Sequence, residues 1–259
     1  MIPIRGKAEI EKLREASRLA VKAMDIARSV IKPGVNTLTI SERVRKYIES
    51  RGARPAFLGY NGYPGAVCIS VNDEVVHGIP GERVLCEGDL VKIDIGTYLG
   101  GFYGDMTRTY PVGTVSAEAA QLMEETRNAF YAAASIAVAG NRVGDIGWAV
   151  QSYLEPRGYG VVRALVGHGI GRQLHEEPQV PNFGTPGTGY LLKPGMVLAI
   201  EPMVNTGTWE VETLEDGWTT VTADGRLSAH YENTCVILEG FPDILTLMSG
   251  EELPHHDER

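Results

Sequence analysis

The alternation of apolar and polar positions divides the chain into helices followed by strands. Residues 7–31 carry Ile10, Leu13, Leu19, Met24, Ile26 and Val30 with charges between them. This predicts an amphipathic helix that stops at Lys32-Pro33-Gly34. Ser41–Ser50 reads as a second helix. Ser116 supplies an N-cap for a third, and Asp145–Leu154 predicts a fourth, closed by Pro156 and Gly158. Strands are expected at 66–71, 90–98, 102–110, 161–166, 196–201, 208–213 and 231–238. The expected fold class is α+β, with the helices packed outside a curved antiparallel sheet.

The pattern repeats once. In "PGVNTLTISERVRKYIESRG" (33–52), Gly34, Ile40, Val44, Tyr47, Glu49 and Gly52 match Gly140, Ile146, Val150, Tyr153, Glu155 and Gly158 of "AGNRVGDIGWAVQSYLEPRG" (139–158). "HGIP" at 77 echoes "HGIG" at 168, and "EGDLVKID" (87–94) echoes "PGMVLAIE" (194–201). We expect one domain over 1–248, made of pseudo-symmetric halves at about 1–112 and 113–248. A disordered tail is expected at 249–259. A functional site belongs where the half-sheets meet.

The hairpin "VKIDIGTYLGGFYGDMTRTY" (91–110) lies at that boundary. A two-residue loop at Leu99-Gly100 would set Asp94 opposite Asp105. Two such charges 4 Å apart repel by roughly 4 kcal/mol at an effective dielectric of 20. Another register, on a solvated face, would make the pair inert, and the hairpin alone leaves both readings open. In the second half Glu201 ends the apolar run Val197-Leu198-Ala199-Ile200, and Glu232 precedes Cys235-Val236-Ile237-Leu238. An unpaired carboxylate beside such runs is costly. His168, in "VGHGIG", would by itself be a structural histidine. Converging with Asp94, Asp105, Glu201 and Glu232, it would complete a set that two divalent cations neutralise. Oxygen ligands with one imidazole suit Mn²⁺, Fe²⁺ or Co²⁺, and Zn²⁺ is compatible.

Composition narrows the classes. The 259 residues hold 33 Asp+Glu against 24 Lys+Arg, a net charge of −9, with no basic run to meet a nucleic-acid backbone. No apolar run is long enough to span a bilayer, and "MIPIRGKAEIEKLREASRLA" has no leader pattern. Cys68, Cys86 and Cys235 lack C-x-x-C spacing, which suits free thiols and gives no thiolate metal site. A soluble cytoplasmic protein is expected.

The order His77, Asp94, Asp105, His168, His175, Glu201, Glu232 now stands beside "GYNGYPGAVCISVNDEVVHGIP", "GHGIGRQLHEEPQV" and "SAHYENT". Together these strongly resemble type I methionine aminopeptidases, of the pita-bread metallopeptidases, over nearly the whole chain. The short span from His175 to Glu201 resembles type I, and the N-terminus resembles the short bacterial form. The resemblance implies the pita-bread fold, a dinuclear site and removal of the initiator methionine from nascent chains when the second residue is small. It implies that Asp94 binds one metal with both oxygens, Asp105 and Glu232 bridge, and His168 and Glu201 complete the other. Glu201 would also handle the proton of the attacking water. His175 would hydrogen-bond the scissile carbonyl, and His77 the scissile or following amide. The methionine pocket would match Phe57, Tyr60, Tyr63, Cys68, Leu174, Met203 and Trp218. Phe57 departs from the smaller residue frequent in bacterial members, which would narrow the pocket. Asn72, Glu74 and Ser228 match a monovalent site for Na⁺ or K⁺. The implied partner is the nascent N-terminus, with transient ribosome association, no membrane, no specific nucleic acid and a monomeric state. Hydrolysis of Xaa-Pro bonds on the same fold, or a non-catalytic binding role, are the alternatives.

Overall fold

The computed structural model describes residues 2–251. Helix α1 (Lys7–Arg28) buries Leu13, Ala16, Leu19, Ala20, Ala23, Met24 and Ala27 along one face. Helix α2 (Thr37–Ser50) begins ahead of the expected Ser41, because Asn36 Oδ1 accepts from Thr39 N at 2.8 Å and caps it. Helix α3 (Ala117–Ile136) starts behind Ser116, whose side chain accepts from Ala119 N as anticipated. Helix α4 (Val143–Leu154) opens two positions early, where the Asp145 carboxylate takes Arg142 N at 2.7 Å.

The main sheet has nine antiparallel strands. Its path runs Arg54–Pro55, Leu90–Leu99, Phe102–Pro111, Glu232–Val236, Val197–Ile200, Gly167–Gly169, Glu176–Val180. Cys68–Val71 joins Leu90–Leu99, and Asp243–Ile244 joins Glu232–Val236. The seam between the N-terminal and C-terminal strands is made by Glu232↔Thr107 and Asn233↔Met106. Alternation then sorts the side chains. Val91, Ile93, Ile95 and Met106 enter the core beneath α1 and α2. Lys92 and Asp94 therefore face the other side of the sheet. Leu198, Ile200, Cys235 and Ile237 pack with α3 and α4. Each fully buried aliphatic contributes about 1.5–3 kcal/mol. At Gly104 a Cβ would stand 2.6 Å from Ser17 N, so glycine lets α1 rest directly on the strand that carries Asp105.

The hairpin register differs from the expected one. The loop is Gly100-Gly101, with φ of 59° and 88°, and Leu99 pairs with Phe102. Two-residue hairpin loops of type I′ need positive φ at both central positions, which Gly-Gly meets and Leu99 does not. Asp94 consequently faces Thr107, and Asp105 faces Gly96. The aspartates are diagonal neighbours on one face, not directly opposed.

The expected strand 161–166 is also corrected. Gly160–Val161 pairs in a small sheet with Met203–Asn205, and Gly167–Gly169 joins the main sheet, so the apolar Ala164-Leu165-Val166 crosses between them. The expected 208–213 shortens to Val211–Thr213. Glu74–Val76, Glu176–Val180, Met203–Asn205, Thr220–Thr222 and Ser228–His230 are strands that the pattern did not announce. Of the expected disordered tail, 252–259 lie outside the described residues. Glu251 is ordered, paired to Arg108 Nη2 at 2.7 Å.

Candidate active site

Neighbouring strands of the main sheet bring the functional side chains to one cavity of about 260 Å³. The hairpin supplies Asp94 and Asp105, and Gly167–Gly169 supplies His168. Glu201 follows Val197–Ile200, and Glu232 opens its own strand. His77, Leu174, His175, Phe57, Tyr60, Asn61, Tyr63, Cys68 and Trp218 complete the lining. His77 adopts φ 59°, a left-handed conformation uncommon outside glycine, and its ring lies edge-on to Trp218. Tyr63, edge-on to the same Trp218, donates its hydroxyl to Gly78 O at 2.8 Å. Tyr60 Oη and His175 Nδ1 are 2.6 Å apart.

Four carboxyl groups share this floor without an ammonium or guanidinium to pair them. Burial, then Glu232 and Glu201, hold Asp94 well above the usual carboxylate range. Burial, then Glu232 and Asp94, do the same to Asp105. Burial pushes Glu201 up to about 8, and burial with the Glu201 charge pushes Glu232 up to about 8. Asp94 Oδ1 and Asp105 Oδ1 are buried without a hydrogen-bond partner. Thr107 Oγ1 donates to Glu232 Oε2 at 2.8 Å.

His168 is set up as a ligand. Its Nδ1 lies 2.9 Å from Gly169 O, which places the proton there and leaves the Nε2 lone pair toward the acids. Nε2 is 3.6 Å from Glu201 Oε1 and 3.9 Å from Asp105 Oδ2. Burial, then His175, push His168 down to about 3, so it is neutral near pH 7. Ligand atoms of Asp105, His168 and Glu232 all fall within 4.8 Å of one another. Orphaned carboxylate oxygens, a free imidazole lone pair and mutual repulsion fit a divalent-cation site.

The model of metallopeptidase family M24 matches residues 11–239. A methionine aminopeptidase of Clostridium acetobutylicum is 48% identical over 248 residues, covering 95% of this chain and 99% of that protein. The chain belongs to family M24, among its methionine aminopeptidases. The crystal structure of the methionine aminopeptidase from Rickettsia prowazekii superposes with a TM-score of 0.94 at 40% identity, covering 95% of this chain and all of that one. The prolidase from Pyrococcus furiosus shares the pita-bread fold at 24% identity and a TM-score of 0.77, with 66% of its length covered.

Within this methionine aminopeptidase two expectations change. Met203 does not line the cavity; it packs with Val75, Val76 and Val162. Its strand pairs with Ser228–His230 in the small sheet, which takes it away from the pocket. The expected monovalent-cation position, at Asn72, Glu74 and Ser228, is crossed by a side chain of the protein itself. Lys92 Nζ donates to Asn72 O at 2.7 Å and to Ser228 O at 2.8 Å. The Glu74 carboxylate turns elsewhere, to Val71 N and Arg83.

Three residues at the site went unread in the sequence. His230 is buried, with Nε2 3.5 Å from Glu201 Oε2, and burial pushes it down to about 4. Its signal was available, two positions before Glu232 in "SAHYENT". Asn61 lines the cavity beside Tyr60. Lys92, two positions before Asp94, alternates with Val91 and Ile93 like any polar residue of a half-buried strand. Among the described residues no helix is long and apolar enough to cross a membrane.

Proposed function

We propose that this enzyme releases the initiator methionine from nascent polypeptides whose second residue is small, using two divalent ions held by Asp94, Asp105, His168, Glu201 and Glu232. One observation carries the reading. Two buried carboxyl groups, Asp105 and Glu232, two half-buried ones, Asp94 and Glu201, and an imidazole lone pair form the floor of a cavity whose walls are aromatic and sulfur-bearing. Divalent ions bound there would acidify water and polarise a scissile carbonyl.

The chain's own groups supply the rest. Glu201, on the cavity floor beside the ions, would take the proton of the attacking water and pass it on. A Tyr60 hydroxyl donating to His175 Nδ1 leaves the proton on Nε2, available to the oxygen that gains charge as the carbonyl is attacked. His77, pushed down to about 4 by burial and its histidine neighbours His230 and His175, stays neutral and is a hydrogen-bond partner for the amide beyond. Tyr63, Cys68, Leu174, Trp218 and Phe57 surround the thioether, which packs well against aromatic rings. Mn²⁺, Fe²⁺ and Co²⁺ suit the oxygen-rich donor set, with Zn²⁺ compatible. The work is cytoplasmic and monomeric, in transient contact with the ribosome.

The test is to strip the protein of metal and assay Met-Ala-Ser with Mn²⁺, Fe²⁺, Co²⁺ or Zn²⁺ restored in turn. Return of methionine release with at least one ion is expected, with two ions bound per chain at saturation. Met-Leu and Met-Lys peptides are expected to be poor substrates. Cleavage of Ala-Pro in preference to Met-Ala-Ser would replace this reading with Xaa-Pro hydrolysis.

A further inference from the structure

Lys92 is 2% exposed, and its charged end meets no carboxylate within ion-pair distance among the described residues. Glu74, Asp73 and Asp89 act on it only through space, none of them within ion-pair distance. Glu74 takes Arg83 and Val71 N, while Asp89 takes Cys86 N and Asn72 Nδ2. A buried ammonium normally requires a counter-charge. What this one has instead is two backbone carbonyl oxygens, from residues far apart in the chain. Carbonyl oxygens that replace a hydration shell are the ligands alkali ions take.

We propose that the Lys92 ammonium is a built-in monovalent cation, clamping the Asn72 turn to the Ser228 strand behind the metal ligands, so that the enzyme needs no alkali ion there. Both anchor points are themselves held. Asn72 sits at φ 58°, with Oδ1 on Leu90 N and its own N–H on Leu90 O. Ser228 donates its backbone N–H to the same Asn72 O at 3.0 Å, and its hydroxyl to Val204 O. The clamp therefore ties a turn of the N-terminal half to a strand of the C-terminal half. Each tied element leads directly into a ligand. Lys92 precedes Asp94 by two positions on one face of the same strand, and Ser228 runs through Ala229, His230 and Tyr231 into Glu232. Next to the clamp, Thr109, which pairs with Lys92, accepts from His230 N at 3.0 Å and donates to His230 O at 2.8 Å. Lys92 is thus a positioning residue: it touches no reacting atom, but it sets the spacing of two strands that must present carboxylates to the same ions.

The experiment compares wild type, Lys92→Ser and Lys92→Met in KCl, NaCl and tetramethylammonium chloride at equal ionic strength, roughly 0.1 M, so that screening is constant. Tetramethylammonium is too large for the space left by the serine variant. Two readouts are taken: the thermal midpoint of the metal-free protein, and Met-Ala-Ser hydrolysis by the loaded enzyme. Wild type is expected to be indifferent to the salt in both. Lys92→Ser is expected to melt several degrees lower in tetramethylammonium and to lose about tenfold in kcat, with K⁺ or Na⁺ restoring most of both. Lys92→Met fills the volume without charge and is expected to show the defect in all three salts.

Stimulation of wild type by K⁺ or Na⁺ would overturn the proposal, as would a Lys92→Ser defect equal in all salts, or no defect at all. If neither variant folds in any salt, the wild-type comparison decides by the same criterion. The catalytic arm rests on the proposed methionine release, whereas the thermal arm does not. Wild type that releases no methionine but melts independently of the salt would sink that function while leaving the clamp standing.

Discussion

Lys92 and Asp94 stand two positions apart on one face of one strand, Lys92 buried and Asp94 half-buried at the cavity, and the fold compensates them in opposite ways. Around Asp94 it gathers Asp105, Glu201 and Glu232, so that each carboxylate makes the others costlier. Around Lys92 it gathers two carbonyl oxygens and leaves the acids outside. One region concentrates like charge with open oxygens, which only a multivalent cation relieves. The other carries its own cation and closes. The contrast shows that burial alone does not mark a metal site. Unsatisfied acceptors of a single sign do.

The comparison breaks most sharply at Asp105. Asp105→Asn is expected to lower kcat by roughly three orders of magnitude or more and to deplete bound metal, since the position needs a full carboxylate. Elemental analysis beside the Met-Ala-Ser assay checks it, and wild-type turnover with full metal would remove the carboxylate cluster from the mechanism. His175→Ala should cost about 10²–10³ in kcat while metal content stays intact, because it removes a donor and no ligand. Metal lost in that variant would move His175 into the ligand set. Thr107→Val deletes the hydroxyl that donates to Glu232 and is expected to weaken metal binding about tenfold, read by competition with a chelator.

The smallest effect is a pH dependence. Burial, and for Glu232 the neighbouring Glu201 charge, push both carboxyl groups up to about 8 in the folded, metal-free protein, above their unfolded values. Groups raised in this way favour folding when protonated, and that stability is lost as pH rises through the folded value. Below pH 6.5 the buried His77, His168 and His230 work in the other direction, since their depressed pKa values make protonation of the unfolded chain favourable. Well above 6.5 the histidines are neutral in both states and the carboxyl groups dominate. Lys92, pushed down to about 7 by burial, opposes them above that value. The gain in thermal midpoint on adding Mn²⁺ should therefore be greater at pH 8 than at pH 6.5, by a few degrees. An equal gain at both would mean that the cluster is already ionised before metal arrives.

Much of the site was legible because its donors sit at the ends of apolar runs, where the chemistry of a carboxylate conflicts with its neighbours. Asp94, Asp105, Glu201 and Glu232 were each visible as such a conflict, and His168 as the imidazole beside them. The hairpin loop lies one position beyond the expected Leu99-Gly100, and the two aspartates still share a face. Moving a two-residue loop along by one shifts the pairing by two residues, which preserves the face. The glycine pair at 100–101 carried the information needed to avoid the error, since both loop positions require positive φ. Met203 was misplaced for a different reason. An apolar residue just past Glu201 fits a pocket wall or a core equally well, and only its pairing with the Ser228–His230 strand decides.

By itself the sequence determined the helix stripes and the Ser116 cap, the two-sided alternation of the hairpin and the inventory of metal-binding donors. These depend on neighbours a few positions away. Tertiary structure alone decided that Lys92 ends on the carbonyls of Asn72 and Ser228, that His230 lies against Glu201, and that Glu251 closes on Arg108. Such contacts join residues from separate strands and turns. Their partners are chosen by how the sheets close, and no local pattern of apolar and polar positions encodes that distance.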